Sequence, residues 1–238
     1  MTGAPALSVI VQAYNEHETV ASTVGHIITA CEELGRPYEI IIVDDGSRDG
    51  TAETADELAA AHERVQVIHH PTNLGMGAAL KSGFLRATGE FVTSIPADGQ
   101  LNPAELSDLL EAIQDADFVT TRRTRPYQAF SRRLLTRGLQ GFMICLFGFV
   151  PRQEAGRMFR RKILDQLELT STSAVLNLEL IVKAHRMGYR FKEVPMELRE
   201  REKGQSKIAS TRGVLRMMRE LLQLRCSKGY RSLKRVPS

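Results

Sequence analysis

Residues 40–51 read IIIVDDGSRDGT, an apolar run followed at once by two acidic side chains, Asp44 and Asp45. A second segment, residues 91–100, reads FVTSIPADGQ and places Asp98 just beyond another apolar run. In an open parallel sheet, ligands bind beyond the carboxyl ends of the strands, so we expect these carboxylates to converge on one crevice. Carboxylate oxygens beside an anionic substrate suit a hard divalent cation. The two segments therefore indicate chemistry on a nucleotide diphosphate.

Strand and helix patterns alternate through the first half of the chain. Short apolar runs predict strands at residues 7–11, 38–43, 65–68, 91–95 and 118–120. Between them, helical patterns begin after turn or capping residues and cover residues 15–34, 51–62, 78–87 and 103–113. This alternation predicts an α/β fold with a mostly parallel central sheet and helices on both of its faces.

The second half of the chain is less regular. The patterns predict helices at residues 130–149, 177–187 and 214–224, strands at 157–160 and 189–194, and a loop at 204–207. The helix at 130–149 begins with basic residues and ends with apolar ones. Such a helix lies in a membrane interface or packs its apolar end into the core, and the sequence leaves both interpretations open.

Composition limits the class of protein. The chain has 238 residues, 42% of them hydrophobic and 25% charged, which is enough for one large α/β domain with a core. The first residues do not resemble a signal peptide, and no window reaches the roughly 20 apolar residues of a spanning helix. Cys31, Cys145 and Cys226 lack CxxC spacing, so we expect reduced thiols and a cytoplasmic protein.

The charge is unevenly distributed along the chain. Residues 201–238 carry a net charge of +9 in a chain whose total is +4, so the other 200 residues are net −5. A basic tail suits an anionic membrane or nucleic acid, and a solvated, frayed terminus is the alternative. The absence of tryptophan disfavours a stacking nucleic-acid surface. We expect a main domain at 1–208 and a basic amphipathic helical tail at 209–238, in peripheral contact with the inner face of a membrane.

The acidic motifs also have purely structural explanations. Asp, Gly and Ser commonly follow strands because they tolerate unusual backbone angles. A plain turn does not need both Asp44 and Asp45, however, so one of them is expected to accept hydrogen bonds from a base or ribose while its neighbour lies near the metal. Asp98 is a possible cap for the following helix, although Asn102 is better placed for that role. Asp98 and the amide oxygen of Gln100 can instead face one cation.

Two further segments have the composition of anion-binding sites. Residues 73–77, NLGMG, are similar to a phosphate-binding loop before a helix, but a close helix–sheet contact explains these glycines equally well. Residues 122–137 contain six arginines, whose forked guanidinium groups bind phosphate oxygens in pairs, and a solvated helix face is the alternative. The histidines lack metal-ligand spacing, and His69 and His70 are interpreted as structural.

The ordered set of segments resembles family-two glycosyltransferases of the GT-A fold, particularly the dolichyl- and polyprenyl-phosphate sugar synthase branch with its dolichol-phosphate mannosyltransferases. The matching segments are VIVQAYNE at 9–16, IVDDGSRDGT at 42–51, NLGMGAA at 73–79, ADGQ at 97–100, FRR at 159–161, NLEL at 177–180, GYRFKEVP at 188–195 and GQSK at 204–207. The resemblance implies an inverting transfer of a sugar from a UDP- or GDP-linked donor, with a polyprenyl phosphate at the membrane surface as the expected acceptor.

The resemblance also implies roles for single residues. The donor would be bound by Ala13, Tyr14, Glu16, Asp44, Asp45, Gly75, Lys81, Ala97, Arg199 and Lys207. Asp98 and Gln100 would hold Mg²⁺ or Mn²⁺ against the diphosphate. Arg122 and Arg137 would face the acceptor phosphate, and the helix at 130–149 would correspond to the amphipathic interfacial helix of that branch.

The chain departs from the family pattern at two places. Pro96 occupies the first position of a metal motif that usually reads Asp-x-Asp-x-Gln, which predicts weaker metal binding or altered donor choice. Residues 151–156, PRQEAG, replace a segment that is often led by Asp, which predicts altered acceptor selection. If the acceptor is a hydroxyl group of a polysaccharide or natural product, Glu154 is the candidate general base. A nucleotide-sugar-binding protein without catalysis is the remaining alternative.

Overall fold

The structure, a computed structural model, describes residues 5–99, 102–123, 130–150, 156–196 and 211–234. The strands are β1 (Leu7–Ala13), β2 (Tyr38–Asp44), β3 (Val65–His69), β4 (Phe91–Ser94), β5 (Phe118–Arg123), β6 (Arg157–Arg160) and β7 (Phe191–Met196). The helices are α1 (His17–Glu33), α2 (Thr51–Ala61), α3 (Met76–Arg86), α4 (Leu106–Ala112), α5 (Phe130–Phe147), α6 (Lys162–Gln166), α7 (Val175–Met187), α8 (Thr211–Cys226) and α9 (Lys228–Arg231).

The strands form one sheet in the order β3-β2-β1-β4-β6-β5-β7. Neighbouring strands are parallel except at β6, which runs antiparallel to both β4 and β5. Six strands therefore end at one edge of the sheet, named the carboxyl edge here, and β6 begins at that edge. The predicted α/β class with a mostly parallel sheet is confirmed. The direction of β6 is not encoded in its own four residues, because a strand so short has no pattern that specifies its partner.

Helices cover both faces of the sheet because the central strands are apolar on both sides. Side chains alternate between the faces, so Val9 and Val11 pack in one core cluster and Ile10 in the other. The first cluster includes residues of α1, α2 and α4, and the second includes residues of α3, α6 and α7. This second face, named the α3–α7 face, reaches the carboxyl edge at the beginning of α7.

A third apolar cluster joins the helices of the second half. It contains Met143 of α5, Leu178 and Val182 of α7, and Leu221 and Leu224 of α8. The predicted helices at 130–149 and 214–224 are thus helical, and both bury part of their apolar surface in this cluster. On α5, Ile144 nevertheless stays half-exposed. Within the described ranges, no helix combines the length and the hydropathy that crossing a membrane requires. The division into a main domain and a tail remains a prediction.

Element boundaries agree closely with the sequence patterns in the first half of the chain. The helix predicted at 103–113 is not α-helical throughout. The α-helical turns of α4 are preceded by the 3₁₀ helix Pro103–Glu105 and followed by the 3₁₀ helix Ile113–Asp115. The last strand begins at Phe191 rather than residue 189, and Tyr189 packs in the second core cluster. The short helices α6 and α9 were not predicted, because helices of five and four residues leave almost no periodic signal.

Candidate functional site

The end of β1 lies between two loops that carry predicted site residues. On one side, the backbone N–H of Asp45 donates to the carbonyl oxygen of Ala13 over 2.9 Å. On the other side, the N–H of Ala97 donates to the carbonyl oxygen of Gln12 over 3.1 Å. The turns after β2 and β4 therefore flank the end of β1, about 10 Å apart by strand spacing. This is the point where the strand order reverses, which is where α/β sheets bind ligands.

The loop after β1 is tied to the loop after β2. Asn15 adopts a left-handed backbone conformation, with φ of 54°, and its side-chain oxygen accepts from the N–H of Arg48 at 2.9 Å. In return, the hydroxyl of Ser47 accepts from the N–H of Asn15, and the hydroxyl of Thr51 accepts from the N–H of Glu16. These reciprocal bonds fix the predicted donor residues Tyr14 and Glu16 beside the DDGS segment.

The Asp45 carboxylate is buried, with 3% of the residue exposed, and its oxygens bind protein groups. Oδ1 lies 3.0 Å from the N–H nitrogen of Leu74 and 2.7 Å from Nδ1 of His70, and Oδ2 lies 2.8 Å from the N–H nitrogen of Gly75. His70 Nε2 in turn lies 2.9 Å from the hydroxyl of Ser82 on α3. Asp45 therefore anchors the loop before α3, and its contact with a donor stays a prediction.

Asp44 is equally buried and supports the same edge. Its Oδ1 accepts from the N–H of Ser47 at 3.1 Å, and its Oδ2 lies 3.2 Å from Nδ1 of His69. The other ring nitrogen of His69 lies 3.0 Å from Oδ1 of Asp56. Burial alone would lower the pKa of His69, but the hydrogen bonds to Asp56 and Asp44 outweigh it and leave this pKa above its ordinary value. The interpretation of His69 and His70 as structural agrees with these contacts.

The glycines of residues 73–77 are explained by close packing. A Cβ on Gly77 would lie 2.1 Å from the carbonyl oxygen of Ser173, and Gly75 has a φ of +95°. The N–H of Ala78 donates to the carbonyl oxygen of Thr172 over 3.0 Å. The loop at 73–77 therefore packs closely against the segment before α7. The anion that its backbone N–H groups bind in this structure is the carboxylate of Asp45. Lys81 lies on α3, half-buried, about one turn beyond Gly77.

The turn after β4 holds Asp98 in a fixed position. The hydroxyl of Thr23 on α1 donates to the carbonyl oxygen of Ala97 at 3.2 Å, and Gly99 adopts a φ of +71°. Asp98 is partly exposed at the carboxyl edge, whereas Gln100 lies outside the described residues. Among the residues that the structure describes, no three His, Cys, Asp or Glu side chains gather around one point. Of the two predicted metal ligands, Asp98 and Gln100, the structure therefore describes Asp98.

The predicted acceptor residues are described only in part. Arg122 lies at the end of β5, and its Nε is 2.9 Å from Oε1 of Glu193 on β7. Arg137 lies in α5, but its side chain is outside the described part of the chain. Glu154 also lies outside it. The predicted donor residues Arg199 and Lys207 lie outside the described ranges as well.

Three polar side chains near the carboxyl edge were not predicted from the sequence. Within the described ranges, Oε1 of Gln12, Oδ1 of Asn177, and both Nε and Nη1 of Arg157 are buried without a hydrogen-bond partner. Gln12 and Asn177 stand in the segments at 9–16 and 177–180 that carry the family resemblance, but neither received a role there, and Arg157 lies outside all of those segments. A separate cleft of about 310 Å³ lies between residues 170–172 and α8, and none of the predicted site residues line it.

Comparisons with known proteins place these observations in a family. The sequence model of glycosyl transferase family 2 matches residues 8–173. Polyprenol monophosphomannose synthase of Mycolicibacterium smegmatis is 34% identical over 218 residues, covering 85% of this chain and 81% of that protein. Undecaprenyl-phosphate mannosyltransferase of Micrococcus luteus is 30% identical over 213 residues, covering 84% of this chain and 86% of that protein.

A solved structure supports the fold independently. Glucosyl-3-phosphoglycerate synthase of Mycobacterium tuberculosis, crystallised with Mn²⁺, UDP and phosphoglyceric acid, superposes with a TM-score of 0.68. The match covers 94% of this chain and 79% of that one at 20% sequence identity. This likeness confirms the predicted GT-A fold.

Proposed function

Because this chain belongs to glycosyl transferase family 2, we propose that it transfers a sugar from a nucleotide diphosphate sugar to a polyprenyl phosphate at a membrane surface. The observation that carries the proposal is the similarity of most of the chain to two enzymes named for polyprenyl or undecaprenyl phosphate. The geometry of the carboxyl edge supports it, since the loops after β1, β2 and β4 meet where α/β sheets bind nucleotides.

The donor would lie across the end of β1. The carbonyl of Ala13 and the N–H of Ala97 are both used within the sheet, which fixes the backbone on either side of the proposed site. The Tyr14–Glu16 loop is equally fixed through its bonds to Ser47 and Thr51. A rigid cradle of this kind holds the donor without ordering the loops on binding, which lowers the entropic cost of association.

The residues present fit a divalent ion that takes most of its ligands from the substrate and water. Asp98 offers a carboxylate on a turn held by Thr23, while Pro96 removes the other acidic position of the motif. Mg²⁺ commonly binds through one or two carboxylates together with substrate phosphates and several waters, and Mn²⁺ accepts similar oxygen ligands. Asp98 and Gln100 would hold the ion, which when bound neutralises the charge on the leaving diphosphate.

Transfer to a phosphate acceptor needs little from the protein in proton chemistry. A phosphate monoester is already ionised near neutral pH, so its oxygen attacks the anomeric carbon from the face opposite the leaving group and inverts the configuration there. The chain's own residues would then bind and orient the two substrates, with Arg122 attracting the acceptor phosphate. A hydroxyl acceptor would instead require a general base such as Glu154.

We predict that the purified chain glycosylates a polyprenyl phosphate and leaves the matching unphosphorylated polyprenol unmodified. The measurement is mass spectrometry of the lipid product after incubation with UDP- and GDP-sugars and Mg²⁺ or Mn²⁺. Glu154→Gln is expected to retain at least about half of wild-type turnover, because an ionised acceptor needs no base. If the chain instead glycosylates a hydroxyl acceptor and Glu154→Gln loses this activity, the proposed phosphate acceptor is wrong. If the chain binds the donor but transfers sugar to no acceptor, the proposed catalytic activity is wrong.

A second prediction concerns the membrane surface. Leu221, Leu224 and Tyr230 are buried against α5 and α7, so deleting the basic tail would also damage the fold. The charge-reversal variant Arg219→Glu with Lys228→Glu leaves this packing intact, because both side chains are exposed. We expect it to weaken binding to anionic vesicles by about ten- to hundredfold, at about 1 kcal/mol lost per basic residue.

Co-sedimentation with phosphatidylserine-containing vesicles measures this binding. The matched control is Glu53→Lys with Glu57→Lys on α2, which changes charge by the same amount in the opposite sense far from the tail. Equal sedimentation of the wild type and the charge-reversal variant would refute contact through the tail.

A further inference from the structure

Side chains on the α3–α7 face form rows that cross β6, β5 and β7. The rings of Phe159, Phe118 and Phe191 stack in one row, with centroid distances of 5.3 Å and 4.8 Å. The strand register pairs Thr120 with Arg157 on one side. On the other side it pairs Thr120 with Glu193. Arg157, Thr120 and Glu193 thus form a second row, two residues nearer the carboxyl edge than the row of Phe rings. Because side chains alternate along a strand, this polar row lies on the same face as the aromatic row.

Arg157 is buried in this row, and none of the described residues supplies it with a countercharge. The residue is 9% exposed, and Nε and Nη1 of its guanidinium have no hydrogen-bond partner in the described part of the chain. Burial lowers the pKa of Arg157 to about 10, so the guanidinium is still charged at neutral pH. A buried charge without a partner destabilises the folded state, which a protein rarely tolerates without a compensating role.

Arg160, on the same strand as Arg157, has partners for all of its guanidinium nitrogens. Its Nη1 lies 2.7 Å from Oε1 of Glu90, its other nitrogens donate to the carbonyl oxygens of Ala116 and Ile113, and the group stacks over Phe91. Arg160 thus meets a carboxylate, two carbonyls and an aromatic ring. Of these two arginines, the one with guanidinium nitrogens that lack described partners is thus Arg157, which lies at the carboxyl edge where β6 begins.

Two further polar side chains lie at the same end of this face as Arg157. Arg122 lies two residues beyond Thr120 on β5, which makes it the diagonal neighbour of Arg157, about 7–8 Å away between side-chain bases. Asn177 lies in the first turn of α7, on the stripe that continues through Leu180 and Ile181 into the core of this face. Its buried Oδ1 has no partner within the described ranges. Two guanidinium groups and an amide therefore share one end of one face.

We infer that Arg157 binds a phosphate group of the substrates, in a subsite that it shares with Arg122 at the carboxyl edge of the α3–α7 face. The inference rests on the proposed function, because that reaction brings phosphate groups to this edge. The donor diphosphate and the acceptor phosphate have the same chemistry, namely anionic oxygens that accept from a guanidinium fork. Arg122 has a competing carboxylate in Glu193, whereas none of the described residues gives Arg157 one, so Arg157 contributes the stronger attraction in a less hydrated position.

The test compares Arg157→Met with Arg160→Met in the full-length chain. Inorganic pyrophosphate is the probe, titrated while the melting temperature is recorded. The wild type is expected to be stabilised by pyrophosphate, and Arg157→Met to weaken this binding by about ten- to hundredfold, as expected for a lost hydrogen-bonded charge. Without the anion, Arg157→Met should melt at the same temperature as the wild type or higher. Arg160→Met should melt lower, because it loses the Glu90 ion pair, and should keep the pyrophosphate affinity.

Kinetic measurements then identify which phosphate is bound. A rise in KM for the nucleotide sugar in Arg157→Met assigns the donor diphosphate, and a rise in KM for the polyprenyl phosphate assigns the acceptor. Arg157→Lys keeps the charge without the fork, so intermediate binding is expected from it. If Arg157→Met does not fold, or melts lower than Arg160→Met, the residue is structural and the inference fails.

Unchanged pyrophosphate affinity in Arg157→Met also overturns the inference, even if sugar transfer is found. The binding of pyrophosphate can be measured whether or not the protein transfers sugar. Absence of sugar transfer together with Arg157-dependent binding would refute the proposed function and leave the phosphate subsite standing.

Discussion

Asp98→Ala is expected to abolish sugar transfer while the chain stays folded. Asp98 is the described carboxylate of the predicted metal motif, and Pro96 leaves no acidic side chain two residues before it. Removing a group that stabilises charge on the leaving diphosphate costs about 10²–10³-fold in turnover, and here no neighbouring carboxylate replaces it. Steady-state transfer at saturating donor and acceptor, with the metal varied, measures the loss.

The conservative variant Asp98→Asn should lose activity to a similar extent, because an amide keeps the size of the side chain and removes its charge. Asp108→Ala on α4 is the matched control, since this aspartate is exposed and its loss should leave turnover unchanged. Circular dichroism and the melting temperature establish that all three variants fold. Wild-type turnover in Asp98→Ala, or in excess chelator, would rule out the metal mechanism.

Glu179→Ala is expected to cause a large loss of stability. Glu179 and Lys183 form an ion pair on α7 with Oε1 2.6 Å from Nζ, and the two residues are 0% and 2% exposed. Removing one partner of a buried pair leaves the other charge uncompensated, at a cost of about 3–5 kcal/mol. For a chain of this size, the melting temperature should fall on the order of 10 °C.

Glu179 also links α7 to the candidate site. Its carboxylate accepts from the backbone N–H groups of Thr170, at 3.0 Å, and Ser171, at 2.7 Å. The next residue, Thr172, supplies the carbonyl that binds the N–H of Ala78 at the start of α3. Loosening this segment should therefore weaken donor binding in addition to lowering the free energy of unfolding.

The double variant Glu179→Leu with Lys183→Met separates charge from packing. Replacing both members of a buried ion pair with apolar groups of similar size is often neutral or stabilising, so it should recover most of the lost stability. Thermal and urea unfolding measure the three proteins. A Glu179→Ala variant as stable as the wild type would contradict this account of α7, as would a double variant no better than the single one.

The same pair predicts how stability depends on pH. Burial raises the pKa of Glu179, but hydrogen bonds from Lys183, Thr170 and Ser171 outweigh it and bring this pKa below its ordinary value of 4.5. A carboxyl group with a depressed pKa in the folded state stabilises the protein fully above its unfolded-state pKa. That contribution is lost as the pH falls through the lower folded-state pKa. The stability advantage of the wild type over Glu179→Ala should therefore be constant near neutral pH and shrink below about pH 4.5.

The strands of the first half were predictable because each is a continuous apolar run ended by Asp, Gly or Pro. Residues 38–43 and 65–68 differ from the observed strands by one residue each. Burial on both faces forces such runs in a parallel sheet, and no other element of that length has the same composition. By contrast, the insertion of β6 between β4 and β5 depends on pairing between residues more than 60 positions apart, which local patterns do not contain.

The sequence predicted which loops lie together at the carboxyl edge, whereas the roles of single residues there stay predictions. The sequence indicated that the segments after β2 and β4 meet, and the hydrogen bonds of Asp45 and Ala97 to β1 bring them to the same strand end. The sequence did not indicate that Asp45 is occupied by His70 and by the loop before α3. Partners that come from other elements are invisible to local composition, whatever the residue type.

The fold class, the family and the edge of the sheet where chemistry is expected follow from the order of amino acids alone, because hydrophobic runs and turn residues act over a few positions. Which polar side chains have hydrogen-bond partners within the protein, and which do not, becomes visible only in the folded chain. Asp44 and Asp45 are bound within the protein, while Arg157, at the beginning of β6, holds a buried charge without a described partner. Burial and partnership depend on the whole packed chain, and they decide which charges remain available to bind a substrate.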